Sequence, residues 1–285
     1  MGLFAACSQS RADKSAQVRQ LLRDHDVVII TETHSTPEGE ALDTRNGQAY
    51  FGEFPAFWAH GSAARAGVGV VVTEAFLRRF DHTAWRVLVP GRAGELWLNG
   101  GTGDLSIFAV YFATGADELD EEDTTISART SRKRMRQIVA SHIAPDSRRL
   151  SLLMGDFNWV ADDLGRIQLE GQQPSGHRDR HEEQHLVHLL QGTNMTLWRH
   201  TAYTHQHQGI LSRLDRCYAN LHPSCFLWAP RYWIGCVRTR RTSCSAHIGP
   251  CLHFVVHSLD PMPGIRAAAC LQKWRPALPG RPALA

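Results

Sequence analysis

Short apolar runs that end in polar side chains constrain the fold of this chain more than any other feature. Residues 27–30 read Val-Val-Ile-Ile and lead into Thr31-Glu32-Thr33-His34, and residues 150–154 lead into Gly155-Asp156-Phe157-Asn158. Runs of this length and composition predict strands that are buried on both faces. Further runs that predict strands lie at 68–73, 86–90, 94–99, 105–111, 211–218 and 251–257.

Three segments have the apolar spacing of helices instead, at 15–23, 135–143 and 180–191. Many strands with few helices favour an α/β (α+β) sandwich, with the sheets inside and the helices outside. We expect one domain over residues 1–258. Residues 259–285 contain five prolines and predict a weakly ordered tail.

The composition is compatible with a reduced intracellular compartment. The net charge is only +3, and no apolar run is long enough to span a bilayer. The N-terminal residues become polar too soon for a secretory signal. The seven cysteines are irregularly spaced, which predicts free thiols rather than a disulfide framework. We therefore expect an intracellular protein without a membrane partner.

Oxygen-bearing side chains follow two of the predicted strands directly. Glu32 follows the first run, and Asp156 and Asn158 follow the run at 150–154. A side chain at a strand end is held rigidly at the rim of a sheet, where ligands collect. Each residue alone is more typical of a turn or a helix cap, so only their combination carries weight.

In their order along the chain, these motifs resemble those of the endonuclease/exonuclease/phosphatase family. The matching segments are Thr31-Glu32-Thr33-His34, Gly67-Val68-Gly69-Val70, Val110-Tyr111, Gly155-Asp156-Phe157-Asn158, Ser212-Arg213-Leu214-Asp215-Arg216 and Ser245-Ala246-His247. The resemblance covers about residues 17–256. It implies a four-layered αββα sandwich, in which helices flank two mostly antiparallel sheets.

The resemblance implies a metal-dependent phosphoesterase with Glu32 as the metal ligand. The implied ion is Mg²⁺, with Mn²⁺ as a substitute, because such sites use hard oxygen ligands. Asp156 is implied to orient or deprotonate the attacking water. Asn158 is implied to hold that water or the phosphate by hydrogen bonds.

Three further residues complete the implied catalytic set. Tyr111 is implied to donate a hydrogen bond to the phosphate, and His247 to contact it. Asp215 is implied to fix the tautomer of His247 and raise its basicity, which is the usual carboxylate–imidazole arrangement.

Two departures from the family pattern bear on activity. The family's first strand usually carries an Asn, whereas residues 1–7 contain none. Either that strand is truncated here, or Ala6 or Cys7 occupies the position. The closing motif also has Ala246 where an Asp is common. A catalytically impaired or vestigial protein that only binds nucleic acid therefore stays open as an alternative.

The closing Ser-Ala-His, the Glu-Thr-His-Ser motif and the stretch from Ser212 to Tyr218 resemble most the endonuclease domains of non-LTR retrotransposons. That resemblance implies nicking of DNA, a reverse transcriptase region absent from this chain, and a nuclear location if the substrate is chromosomal DNA. Basic stretches at 129–136 and 231–241, with aromatic residues Trp228, Tyr232 and Trp233, also favour nucleic acid. RNA, lipid and inositol phosphates remain alternatives, because this fold does not choose among them.

Two zinc sites are rival hypotheses. Residues 181–185 read His-Glu-Glu-Gln-His, which fits the zinc-protease motif H-E-x-x-H on a helix, but no third ligand follows. Cys244, His247, Cys251 and His253 could form a structural zinc site, although their spacing is not that of a finger or ribbon.

Overall fold

Two β-sheets form the centre of the molecule. The computed structural model describes residues 8–40, 44–62, 65–101, 103–115, 125–145, 149–176, 178–198, 203–220, 232–238 and 252–258. In chain order the helices and strands are α1 (Ser8–Asp24), β1 (Val27–Thr31), α2 (Pro37–Glu40), β2 (Thr44–Arg45), β3 (Gln48–Phe51), β4 (Phe54–Ala59), β5 (Val68–Val72), α3 (Glu74–Leu77), β6 (His82–Val89), β7 (Ala93–Gly100), β8 (Gly103–Tyr111), α4 (Ala128–His142), β9 (Arg149–Asp156), β10 (Arg166–Gln168), α5 (Arg180–Leu189), β11 (Thr196–Trp198), β12 (His205–His207), β13 (Ile210–Ser212), β14 (Asp215–Ala219), β15 (Tyr232–Arg238) and β16 (Leu252–Ser258).

The strand order defines the two sheets. The seven-stranded sheet has the order β15-β16-β1-β5-β4-β3-β2, and the six-stranded sheet has the order β11-β14-β9-β8-β7-β6. Strands β8 and β9 pair in parallel, and the other paired strands in the described part of the chain are antiparallel. The α4 crossover between β8 and β9 explains the parallel pair, because parallel neighbours need a long connection.

Three apolar clusters hold four layers together. One lies between the sheets and includes Ile29, Val70 and Ile107. The second packs α4 and α5 on the six-stranded sheet, and the third packs α1 on the seven-stranded sheet. The arrangement of helix, sheet, sheet and helix confirms the predicted αββα sandwich.

Some predicted elements differ from the observed ones. The run at 211–218 is two strands, β13 and β14, which belong to different sheets. Leu214 lies between them, and its backbone N–H donates to the Thr204 hydroxyl (3.1 Å) instead of a strand partner. Strand β10 was not predicted, and it joins β13 and β12 in a small third sheet. Helix α1 begins at Ser8, earlier than predicted, and strands β2 to β4 were not predicted.

Some predictions fall outside the described residues. The tail at 259–285 and residues 1–7, where the family's first strand is expected, both belong to this group. Within the described ranges, no helix combines the length and apolar character needed to cross a bilayer.

Candidate active site

The ends of four strands bring the predicted site residues together. In the six-stranded sheet, β8 ends at Tyr111, and this residue pairs in register with Asp156 at the end of β9. Asp215, the first residue of the antiparallel strand β14, pairs with Asp156 from the other side. In the facing sheet, β1 ends at Thr31, directly before Glu32. The fold therefore places side chains from both sheets at one end of the sandwich.

Glu32 takes a backbone conformation that is uncommon for a residue with a side chain. Its φ angle is +51°, in the left-handed region. Its carboxylate accepts a hydrogen bond of 2.7 Å from the Tyr111 hydroxyl, across the gap between the sheets. The next residue, Thr33, donates its backbone N–H to Gly67 (3.0 Å). Strained conformations of this kind persist where the surroundings fix them, and they are concentrated at functional sites.

A chain of side-chain hydrogen bonds supports the turn after Glu32. The hydroxyls of Thr33 and Ser35 are 2.9 Å apart, and both residues are fully buried. The Ser35 hydroxyl is 3.1 Å from His60 Nδ1. Burial lowers the pKa of His60, which favours its neutral form. Thr33 and Ser35 lie in motifs that the sequence indicated, whereas His60 was not indicated, because its contact with Ser35 joins separate segments of the chain.

Asp156 and Asn158 form a compact turn after β9. The backbone N–H of Asn158, whose φ angle is +53°, donates to Asp156 Oδ1 at 2.8 Å. The Asn158 side-chain amide donates to the Phe112 carbonyl at 2.7 Å. The Asn158 amide oxygen then remains an acceptor, and Asn is one of the few residues that adopt this conformation readily. The backbone of Phe157 is also fixed, because its N–H donates to the Leu214 carbonyl (2.9 Å).

Asp215 lies deeper than the other carboxylates and is only 2% exposed. Its backbone N–H donates to the hydroxyl of Thr204 at 3.2 Å. Burial raises the pKa of Asp215 well above its ordinary value, and the neighbouring charge of Asp156 raises it further. Thr204 was not predicted, because a threonine in a loop carries no signal of its own.

Neighbouring negative charge contributes to the raised pKa of Asp156 and of Asp215. Burial raises the pKa of Asp156 from 3.8 to about 7, and the charge of Glu32 adds to this rise, whereas the hydrogen bond from Asn158 opposes it. Burial, with the charges of Glu32 and Asp156, also raises the pKa of Tyr111, so this phenol stays protonated and can donate. A bound cation would stabilise the ionised carboxylates by opposing this mutual repulsion.

The donor set suits a hard divalent cation. Glu32, Asp156, Asn158 and Asp215 offer only carboxylate and amide oxygens, the ligands that Mg²⁺ prefers. Among the described residues, no group of three or more His, Cys, Asp or Glu side chains could hold a metal ion. Mg²⁺ needs only one or two protein carboxylates because it keeps several waters, so Glu32 with its neighbours fits this ion.

The comparison with protein families agrees with this geometry. Residues 6–247 match the model of the Endonuclease/Exonuclease/phosphatase family. The chain belongs to this family. The matched range includes every predicted site residue. No sequence among the curated proteins matches the chain.

Solved structures of other proteins share the fold of this family member. An AP endonuclease from Archaeoglobus fulgidus is 15% identical over 82% of this chain and 88% of its own, with a TM-score of 0.53. A 3′ phosphatase, NExo, from Neisseria, bound to a product DNA hairpin, is 17% identical over 84% of this chain and 93% of its own, with a TM-score of 0.53. At this identity the likeness concerns the fold alone.

One predicted catalytic residue lies outside the described part of the chain. His247 and its neighbour Ala246 belong to the range 239–251, which is not described. The pairing of Asp215 with His247 therefore stays a prediction. The same holds for the zinc site drawn from Cys244, His247, Cys251 and His253, and for the aromatic side chains at 228, 232 and 233.

The zinc-protease motif of α5 serves a different purpose. Glu182 is fully buried and forms ion pairs with Arg132 (2.9 Å) and Arg136. His185 Nδ1 accepts a hydrogen bond from Arg136 at 3.1 Å. A glutamate between two arginines is no general base, and a ring nitrogen that accepts this bond is not available to a metal. The motif is part of the contact between α4 and α5.

The same contact corrects the interpretation of the basic stretch at 129–136. Arg132 and Arg136 are 1% and 3% exposed, so they do not form a surface for nucleic acid. Buried and exposed positions alternate along α4, so the basic residues of this stretch fall into a buried group and an exposed group. A count of basic residues cannot separate these two groups, because it ignores the face of the helix on which each lies.

Replacing Gly155 by alanine is expected to destabilise the protein by several kcal/mol. Its φ angle is +147°, and an added Cβ would lie 1.8 Å from the carbonyl oxygen of Val110, on the neighbouring strand. Gly192→Ala is the control, because Gly192 has a φ angle of +83° but no atom within 4 Å of the added Cβ. That variant is expected to lose only the ~1–2 kcal/mol of a left-handed backbone. Equal losses in urea unfolding would contradict the steric explanation.

Proposed function

We propose that the chain is a Mg²⁺-dependent phosphodiester hydrolase that acts on DNA, as a nicking endonuclease of retroelement origin. The observation that carries the proposal is the meeting of Glu32, Tyr111, Asp156, Asn158 and Asp215 at one end of the two sheets. Family membership supports phosphodiester hydrolysis. The motif resemblance to retrotransposon endonucleases supports the retroelement origin, which implies a nuclear site of action and a partner reverse transcriptase.

Four of these five residues divide the hydrolytic chemistry between them. Asp156 orients the attacking water and takes its proton, and a pKa near neutrality suits a general base. Asn158 is positioned by the Phe112 carbonyl to hold the water or the phosphate. The protonated Tyr111 donates to a phosphoryl oxygen or to Glu32. Mg²⁺ bound at Glu32 would neutralise negative charge on the phosphoryl oxygens.

Two further residues complete the proposal. Asp215 would hold His247 in the tautomer that contacts the phosphate, as the motif resemblance implies.

DNA as the substrate is supported by the structural neighbour from Neisseria, which is bound to a product DNA hairpin. RNA, lipid and inositol phosphates are the alternatives that the experiment must exclude.

The experiment is a substrate panel with purified protein in Mg²⁺, Mn²⁺ or EDTA. We expect nicking of supercoiled plasmid in both metals and none in EDTA, and Glu32→Gln should require more metal. Release of phosphate from a 3′-phosphorylated oligonucleotide without nicking of plasmid would show that the activity is that of a 3′ phosphatase and not of an endonuclease. Hydrolysis only of RNA or of small phosphodiesters would contradict DNA as the substrate. A folded protein that is inactive throughout but binds DNA would favour the vestigial alternative, in which departures from the family motifs such as Ala246 abolish catalysis.

A further inference from the structure

Arg92 is a buried cation next to the proposed active site. It lies in the turn between β6 and β7 and is 3% exposed. Its backbone N–H donates to the Val89 carbonyl at 3.0 Å, which fixes the turn. Arginine is always charged and is almost never fully buried unless it is paired, so the contacts of Arg92 fix the position of its charge.

The side chain of Arg92 lies over the ring of Tyr111. The distance from the guanidinium carbon to the ring centroid is 4.9 Å, within the range of a cation–π contact. The main chains are joined as well, because the Tyr111 N–H donates to the Arg92 carbonyl at 2.7 Å. Arg92 thus holds both the backbone and the ring of the residue whose hydroxyl contacts Glu32.

The positive charge of Arg92 also acts on Asp156, as does that of Arg216. A guanidinium suits a contact with an aromatic ring because it stays charged and stacks as a plane, which a lysine ammonium does not.

We propose that Arg92 is a positioning residue, whose guanidinium and backbone carbonyl hold the Tyr111 phenol against Glu32. Its side chain is buried and acts on the substrate through Tyr111. The proposal rests on the proposed hydrolase function and adds to it a residue that none of the sequence motifs includes.

The test is a double-mutant cycle between Arg92 and Tyr111. Arg92→Lys is expected to lower kcat by about tenfold, the effect of about 1.4 kcal/mol, with little change in KM. In a Tyr111→Phe background the same substitution should cost less than about twofold, because the phenol that it positions is gone. Arg45→Met is the matched control: Arg45 lies 4.7 Å from the ring of Tyr50, in the hairpin of β2 and β3, and its loss should leave kcat unchanged. If the factors by which Arg92→Lys and Tyr111→Phe each lower kcat multiply in the double variant, the proposal is overturned.

A second measurement does not depend on activity. The chain has five tyrosines, so ring ¹³C labelling gives a simple spectrum in which the Tyr111 signal is assigned by its loss in Tyr111→Phe. Arg92→Lys should shift that signal, and Arg45→Met should leave it in place. If the wild-type protein hydrolyses no phosphodiester, the proposed function fails while this spectrum still decides the role of Arg92. A Tyr111 signal that does not move would overturn the positioning role.

Discussion

Asp156→Asn is expected to lower the rate of phosphodiester hydrolysis by about 10²–10⁴-fold, the usual contribution of a positioned general base. The substitution keeps the shape of the side chain and can still accept the hydrogen bond from the Asn158 N–H. It removes the group that takes the proton from water. The measurement is kcat for plasmid nicking, or for the best substrate of the panel, at saturating Mg²⁺.

Asp104→Asn is the matched control for this loss. Asp104 lies near the start of β8, whereas the active-site residue Tyr111 ends the same strand. The same chemical change at the other end of the strand should leave kcat within about twofold, because Asp104 contacts Asn99 and Arg149 and none of the proposed catalytic residues. Activity that survives in Asp156→Asn, with Asp104→Asn also active, would show that Asp156 is not the base.

The same substitution is expected to stabilise the metal-free fold. The folded-state pKa of Asp156 is about 7, above the ordinary 3.8, so its contribution to stability is lost as the pH rises through this window. The asparagine side chain of Asp156→Asn does not ionise, so this variant does not lose stability as the pH rises through the same window. The variant and wild type should therefore have similar free energies of unfolding near pH 4, and the variant should be more stable by a few kcal/mol at pH 8.

Chelator, Mg²⁺ and pH together distinguish this effect from a general gain in stability. Urea unfolding in EDTA should show the advantage of the Asn variant, and Mg²⁺ should reduce it by stabilising the wild type. The Asp104→Asn control should follow the wild type at each pH. An Asn variant that is less stable than wild type at pH 8 in EDTA would contradict the raised pKa. Loss of activity with gain of stability is the expected signature of groups held together for catalysis.

The sequence could predict those site residues that lie at strand ends or within local motifs. Glu32 and Asp156 follow apolar runs that predict buried strands, and the fold places both at the same end of the sandwich. The sequence indicated Tyr111 and Asp215 only through the family resemblance. Their registers with Asp156 are properties of the sheet. The local pattern of a strand does not reveal which neighbours it will have.

Other residues could not be predicted because their roles depend on distant segments. Arg92 reads as an ordinary turn residue until β8 brings Tyr111 beneath it. The Thr204 hydroxyl accepts from Leu214 and Asp215 after the chain has formed the β12–β13 hairpin. Patterns over four or five residues show burial and periodicity, and they do not show which charge will lie next to which aromatic ring.

The motif at 181–185 shows the same limit for a charged residue. The spacing of His181, Glu182 and His185 indicated a zinc site, whereas the fold uses Glu182 to neutralise two arginines of α4. The adjacent Glu183 accepts a hydrogen bond from Tyr218 (2.9 Å) and pairs with Arg216. Both glutamates thus connect α5 to its neighbours.

Glu182→Ala is expected to lower the free energy of unfolding by about 3–5 kcal/mol, because it leaves Arg132 and Arg136 buried without their counter-charge. Arg132 also donates to the Ala113 carbonyl at 2.8 Å, so the loss should reach the loop after Tyr111. Burial and the charge of Arg132 already lower the pKa of Arg136 to about 10, which shows how costly this second charge is. The measurement is urea unfolding at neutral pH.

Two further variants show whether charge burial is the cause. Gln184→Ala changes an exposed residue of the same helix and should cost less than about 0.5 kcal/mol. Replacing the cluster as a unit, with Glu182→Leu, Arg132→Met and Arg136→Met, should recover most of the stability lost in Glu182→Ala, because no unpaired charge remains. A small loss in Glu182→Ala would contradict a structural role for this cluster. Loss of a zinc-dependent protease activity in His181→Ala, with stability unchanged, would instead revive the zinc-site hypothesis.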